Sequence, residues 1–89
     1  MIPSDESYDE KVLRTFLVDG RIKQLPARRK KRQVLLRHIV SSFERERVYR
    51  EAEVNAILAR FNEDVATLRR EMVDTGLMIR YRGEYARPE

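Results

Sequence analysis

The chain has 89 residues, no cysteine and a formal net charge of +4. Its length favours a single domain, because domains typically span about 50–250 residues. The lack of cysteine excludes disulfides and thiolate metal sites and suits a reducing compartment. No apolar run approaches the roughly 18 residues of a membrane span, so we expect a cytoplasmic protein.

Charged residues are unevenly distributed along the chain. Residues 1–20 have five acids and two bases, residues 21–37 have eight bases and no acid, and residues 51–75 have six acids and three bases. A basic segment between acidic ones favours an anionic partner. The alternative is that long basic side chains solubilise a small domain while acidic neighbours neutralise them in space.

The N-terminal part of the sequence predicts a leader and a short helix. We interpret residues 1–6 as a flexible leader. Apolar residues at helical spacing predict an amphipathic helix near 7–17, built on Tyr8, Val12, Leu13 and Phe16. Asp19-Gly20 is expected to end this helix, since glycine accepts the left-handed conformation of a helix stop. Residues 21–25 alternate polar and apolar, which predicts a short extended segment.

The clearest element is a helix over 27–43. Its apolar stripe consists of Leu35, Leu36, Ile39, Val40 and Phe43. Its first turns contain a basic run, Arg28, Arg29, Lys30, Lys31 and Arg32. Positive charge at a helix start opposes the helix dipole by about 0.3–1 kcal/mol per group. Stability alone explains this run poorly, and phosphate is the obvious anion to bind it.

A compact series of elements follows this helix. The sequence predicts a short strand at 48–49, a helix near 51–60, a second helix near 63–75 after a sharp turn, and a hairpin over 77–87. Asn62 is the expected N-cap of the helix at 63–75. Gly76 is expected to end that helix.

This order predicts an α+β fold, mainly α with a small β-hairpin. We interpret residues 7–89 as one winged-helix-like domain, a helix-turn-helix plus wing with an extra N-terminal helix. The helix at 63–75 then holds the recognition position and the hairpin is the wing.

The predicted recognition helix is poorly suited to reading bases. Its outward face is expected to present Glu63, Thr67, Arg70 and Asp74, whereas groove-reading helices usually present several cationic or amide side chains. Arg69 is expected to be a structural ion-pair partner. Contacts to DNA are therefore expected to come mostly from the basic run and the wing arginines, including Arg87, and to reach phosphates. The candidate nucleic-acid-binding residues are Arg28, Arg29, Lys30, Lys31, Arg32, Arg70, Arg80 and Arg82.

No residue pattern indicates catalysis, a metal or another cofactor. His38 is the only histidine, and we interpret it as a partly buried structural residue. Zinc sites normally gather three or four nitrogen or sulfur ligands. Ser41 and Ser42 lack the partners of a catalytic triad, and the chain has no glycine-rich phosphate loop. We expect a protein that is not an enzyme.

Several short motifs together resemble a bacterial family of domains of unknown function, DUF2087. They are the stretch 20–27, the basic run, Glu53-Val54-Asn55, the stretch 68–71 and Gly76-Leu77, and the similarity covers roughly residues 16–87. The resemblance implies a bacterial protein with a regulatory association, since members occur alone or fused to ArsR-type helix-turn-helix regulators. It implies no catalytic residue. Members often have a small polar residue where Arg50 stands, so the capping box there is expected to be lost or replaced.

Two functions remain open at this point. The first is a DNA-binding regulator that contacts double-stranded DNA through phosphates. The second is a protein-interaction or regulatory module that binds a second copy or a regulator protein, without touching DNA.

Overall fold

In residues 6–88, which the computed structural model describes, four helices form: α1 (Tyr8–Phe16), α2 (Arg29–Val40), α3 (Glu51–Leu58) and α4 (Val65–Asp74). The strands of this part of the chain are β1 (Leu17–Val18), β2 (Arg21–Ile22), β3 (Tyr49–Arg50), β4 (Ile79–Tyr81) and β5 (Glu84–Ala86). Residues 1–5 of the predicted leader lie outside the described residues.

Helix α1 begins in a capping box. The Ser7 hydroxyl accepts the N–H of Glu10 at 3.1 Å, and the Glu10 carboxylate accepts the N–H of Ser7 at 2.8 Å. The buried Val12 side chain packs α1 against the core, and Asp9 pairs with Arg37 of α2 at 3.2 Å. The predicted first helix is therefore confirmed, and it lies against α2.

The chain after α1 turns back on itself as a small hairpin. Strands β1 and β2 pair antiparallel, with Leu17 opposite Ile22 and Val18 opposite Arg21. Asp19 and Gly20 connect them with φ of +53° and +78°, as a type I′ turn requires. The prediction that Asp19-Gly20 ends a helix was wrong, because α1 already ends at Phe16 and these two residues form the hairpin turn.

The remaining elements confirm the winged-helix-like fold. After α2 come β3, then α3 and α4 with a sharp turn between them, then the β4–β5 hairpin. The three-stranded antiparallel sheet has the order β3-β5-β4, with Tyr49 and Arg80 both opposite Tyr85. The β4–β5 hairpin is the wing, and α4 occupies the recognition position. Gly76, at φ +79°, follows the end of α4 as predicted.

The end of α2 and the start of α4 differ from the predicted boundaries for local reasons. Helix α2 was predicted to reach Phe43 but ends at Val40, and the chain continues in tighter turns in which the N–H of Phe43 bonds to the Val40 carbonyl at 3.0 Å. Asn62 is not the N-cap of α4. Asp64 is, with its carboxylate accepting the N–H of Thr67 at 3.3 Å. Hydrogen bonds from Thr67 to the Asp64 carboxylate lower the pKa of Asp64.

Helix α3 retains half of a capping box. The Glu53 carboxylate accepts the N–H of Arg50 at 2.9 Å, which lowers the pKa of Glu53. The reciprocal bond is missing because an arginine side chain has no acceptor. The departure expected at Arg50 therefore removes one of the two bonds of the motif.

One hydrophobic cluster joins all four helices to both small sheets. Its buried members are Val12, Ile22, Val34, Leu35, Leu36, Ile39, Val40, Phe43, Tyr49, Val54, Leu58, Leu68, Met72, Met78 and Tyr85. The apolar stripe predicted for the second helix is fully contained in this core. The core fixes the start of α2, the helix α4 and the wing relative to one another.

Candidate nucleic-acid interface

The basic run begins helix α2 without a compensating side chain. Arg28 is the N-cap, in extended geometry, and makes no side-chain capping bond. The first turn has no acid, although helix starts favour Asp or Glu. The unpaired N–H groups of this turn and the positive side chains therefore lie together, as the sequence predicted.

Four members of the basic run, all but Arg32, have no ion pair among residues 6–88. Arg28 and Arg29 are exposed, and Lys31 is half-buried. Lys30 differs, because its Nζ lies 4.5 Å from the centre of the Tyr8 ring on α1. The run therefore offers free positive charge to solvent at one end of α2, next to the N-terminal helix.

Arg32 is turned inward and joins α2 to α4. Its Nε and one Nη donate to the two carboxylate oxygens of Glu71 at 2.7 and 2.6 Å, and its other Nη donates to the Pro26 carbonyl at 3.1 Å. The bond with Glu71 raises the pKa of Arg32. A bidentate pair of this kind fixes geometry as well as adding energy. Arg32 is thus occupied within the fold and does not belong to the proposed contact surface.

We expect Glu71→Ala to lower the free energy of unfolding by about 1–2 kcal/mol, because it leaves the half-buried Arg32 guanidinium without its charged acceptors. Urea unfolding would measure the loss. The matched control is Glu44→Ala, which breaks the exposed pair of Glu44 with Arg47 and should change stability much less. Equal losses for the two variants would contradict a structural role for the pair between Arg32 and Glu71.

The exposed face of α4 consists of Ala66, Arg70 and Asp74, one turn apart. Thr67, predicted to face outward, is half-buried, and its N–H donates to the carboxylate of the N-cap Asp64. Arg69 is confirmed as a structural residue: its guanidinium pairs with Glu51 at 3.8 Å and donates to Asn55. This leaves α4 one free arginine beside one free carboxylate.

The wing has arginines on both sides. Arg80 faces α4, with its guanidinium carbon 6.0 Å from the ring centre of the buried Tyr85. Arg82 lies in the wing turn, over the ring of Tyr81 at 5.1 Å. Arg87 is engaged internally, because it donates to the Phe43 carbonyl at 3.0 Å. Of the predicted wing contacts, Arg87 is therefore engaged, whereas Arg80 and Arg82 make no hydrogen bond or ion pair within the described residues.

Two shallow grooves lie on either side of α4. One, of about 370 Å³ between α4 and the wing, brings Arg70 and Arg80 together. The other, of about 480 Å³ between α2 and α4, contains Arg29. Asp74 lines both grooves, so a carboxylate separates the two groups of cations. The structure thus divides the predicted site residues into two groups, which the sequence alone did not indicate.

The described part of the chain has no group of three or more His, Asp and Glu side chains arranged to hold a metal ion. His38 is half-buried and packs edge-on against Phe61, with ring centres 6.1 Å apart. Between residues 6 and 88 there is also no helix with the length and apolar character to cross a bilayer.

A comparison with known proteins identifies the family. Residues 21–87 match the model of a family described as an uncharacterized protein conserved in bacteria, DUF2087. Neither a curated protein nor a solved structure matches the chain. The match spans most of the chain, from the second strand of the first hairpin to the end of the wing. The chain belongs to the DUF2087 family.

Proposed function

We propose that this protein is a nucleic-acid-binding, regulation-associated domain without enzymatic activity, which contacts phosphates of double-stranded DNA. The observation that supports the proposal most is the start of α2, where Arg28, Arg29 and Lys31 have no ion pair in the described chain and no acid lies in the first turn. Such a role belongs in the cytoplasm of a bacterial cell.

The placement of these charges favours binding over stability. Cations at a helix start oppose the dipole, so the run destabilises α2 unless an anion is bound. A phosphate oxygen at that position would accept bonds from free backbone N–H groups and from guanidinium groups together. Helix α1 lies close by and has two acids and two bases, and none of its acids forms an ion pair with the run in the described residues. Its Tyr8 ring lies beside the Lys30 ammonium.

The proposed contacts bind the DNA backbone and discriminate little between base sequences. The exposed face of α4 offers Arg70 next to Asp74, and Asp74 would repel phosphates on either side of the helix. Affinity would then come from phosphate contacts, which carry no direct sequence information. The wing arginines Arg80 and Arg82 would add phosphate contacts on the other side of α4 from the basic run.

Titration of the protein into labelled duplex DNA at several salt concentrations tests the proposal. We expect binding at low salt. The logarithm of the association constant should fall linearly with the logarithm of the salt concentration, with a slope of about −0.9 for each phosphate contacted. Absence of binding at about 20–50 mM salt would overturn it, because a phosphate-driven interaction is strongest there.

A second candidate function is a protein-interaction module, with a second copy or an ArsR-type regulator as partner. It is favoured by the exposed apolar side chains of Val48, Ile79 and Tyr81 near the wing and by Asp74 on the outer face of α4. Sedimentation at several concentrations, with and without DNA, separates the candidates. A strictly monomeric protein that binds duplex DNA supports the first and counts against self-association.

A further inference from the structure

One face of the β3-β5-β4 sheet is apolar and exposed. We call it the wing face, formed by Val48, Ile79, Tyr81, Glu84 and Ala86, which together with Tyr85 line a shallow groove of about 200 Å³. Val48, Ile79 and Tyr81 are 58, 52 and 66% exposed. The Arg82 guanidinium lies over one side of the Tyr81 ring, and the rest of this apolar surface faces solvent in the described part of the chain. Exposed apolar surface at a groove is a candidate for an interaction site.

Strand alternation separates the two wing tyrosines. Arg80 lies opposite Tyr85 and shares the inner face with it, where Tyr85 is 2% exposed and its hydroxyl donates to Glu51 at 2.8 Å. Tyr81 lies opposite Glu84 on the wing face. Tyr85 is therefore a packing residue, and Tyr81 is the one whose ring is available to a ligand.

Arginines flank this apolar strip at both ends. Arg82 places its guanidinium 5.1 Å from the Tyr81 ring centre, and no ion pair within the described chain engages it. Arg50 lies opposite Glu84 across the sheet, on the other side of β5 from Tyr81, and also has no ion pair there. An apolar centre with an aromatic ring and cations at its ends matches the chemistry of a nucleotide, in which a flat base lies between phosphates.

We infer that the wing face binds single-stranded nucleic acid, with one unpaired base stacked on Tyr81 and its neighbouring phosphates near Arg82 and Arg50. Bases within a duplex are already stacked and cannot offer their faces to the ring, whereas unpaired bases stack readily on exposed aromatic side chains. The inference rests on the proposed function for the class of ligand, but it uses residues separate from the basic run.

The test measures binding of a labelled oligothymidine of about 12 nucleotides, a length within the usual site sizes. We expect Tyr81→Ala to weaken binding about 5- to 150-fold, the loss of one base stack. Tyr81→Phe keeps the ring and should bind nearly as the unchanged protein does. Val18→Ala, which trims an exposed apolar side chain of β1, is the control and should have no effect.

A second variant tests whether phosphates lie beside the wing face. Glu84→Gln removes the one carboxylate of the wing face and should strengthen binding of the single strand about 2- to 5-fold at low salt. An unchanged or weaker affinity would contradict phosphates lying beside this position.

The outcomes separate the inference from the proposed function. Duplex binding without oligothymidine binding overturns the inference and leaves the proposed function standing, whereas absence of both overturns both. The inference is also overturned if Tyr81→Ala weakens the binding of duplex DNA and of the single strand equally. So does a self-association that Tyr81→Ala abolishes while oligothymidine binding stays unchanged, since the wing face would then join two copies.

Discussion

Replacing Phe43 by alanine is expected to lower the free energy of unfolding by about 3–5 kcal/mol, a large part of what a domain of this size has. Phe43 is 1% exposed and packs edge-to-face on Tyr49 with ring centres 5.1 Å apart. Its backbone carbonyl accepts a hydrogen bond from the Arg87 guanidinium. The backbone N–H of Glu44, the next residue, donates to the Tyr49 hydroxyl at 2.7 Å. The ring thus joins the segment after α2 to β3, whereas the bond to Arg87 involves the backbone and remains in the variant.

Urea unfolding followed by circular dichroism would measure this loss. Val48→Ala, next to Tyr49 in sequence but largely exposed, is the control and should change the free energy of unfolding by no more than about 0.5 kcal/mol. A loss of less than about 1.5 kcal/mol for Phe43→Ala would contradict the burial of its ring between α2 and β3.

Neutralising the free part of the basic run is expected to remove most duplex binding. The triple variant Arg28→Ala, Arg29→Ala and Lys31→Ala removes the cations for up to three phosphates, so affinity should fall on the order of 10³-fold at about 50 mM salt. The salt slope should become shallower by about 2.7, at 0.9 for each phosphate that is no longer neutralised. Titration of labelled duplex over a range of salt concentrations gives both quantities.

The same variant should be more stable than the unchanged protein. Each removed cation relieves opposition to the α2 dipole of about 0.3–1 kcal/mol at low ionic strength, and alanine is a good helix former. The temperature of unfolding should therefore rise while DNA affinity falls. Opposite changes of this kind cannot result from partial unfolding.

A second triple variant controls for net charge. Lys11→Ala, Lys23→Ala and Arg45→Ala remove the same number of positive charges from exposed positions outside the proposed surface. Duplex affinity should fall far less than for the first variant. Equal losses would show that binding depends on overall charge, and would contradict a defined contact at the start of α2.

The sequence predicted the elements that have strong local patterns. The stripe from Leu35 to Phe43 has helical periodicity and is buried in the structure. The wing was predicted because Arg82-Gly83-Glu84 separates two short segments. Glu84 belongs to β5, and the turn consists of Arg82 and Gly83, which adopt the positive φ of a type I′ turn. The start of α2 was predicted because Pro26 precedes it, although the helix itself begins two residues later than expected.

Features that depend on distant parts of the chain were missed. Asn62 resembles an N-cap, yet its side-chain amide donates to the Ile22 carbonyl at 2.6 Å and thereby fastens the first hairpin to the end of α3. The inward turn of Arg32 depends in the same way on Glu71, which lies far along the chain. One missed feature did have a local signal, since Asp19-Gly20 between apolar residues is typical of a hairpin turn.

The first hairpin has a consequence for the boundaries of the foldable unit. The family match begins at residue 21, immediately after the turn, so it separates β1 from β2 and leaves out α1 with its core residue Val12. An excised segment starting at residue 21 would expose the side of α2 that α1 covers and would leave β2 without its partner strand. The matched segment is thus smaller than the part of this chain that contributes to the hydrophobic core.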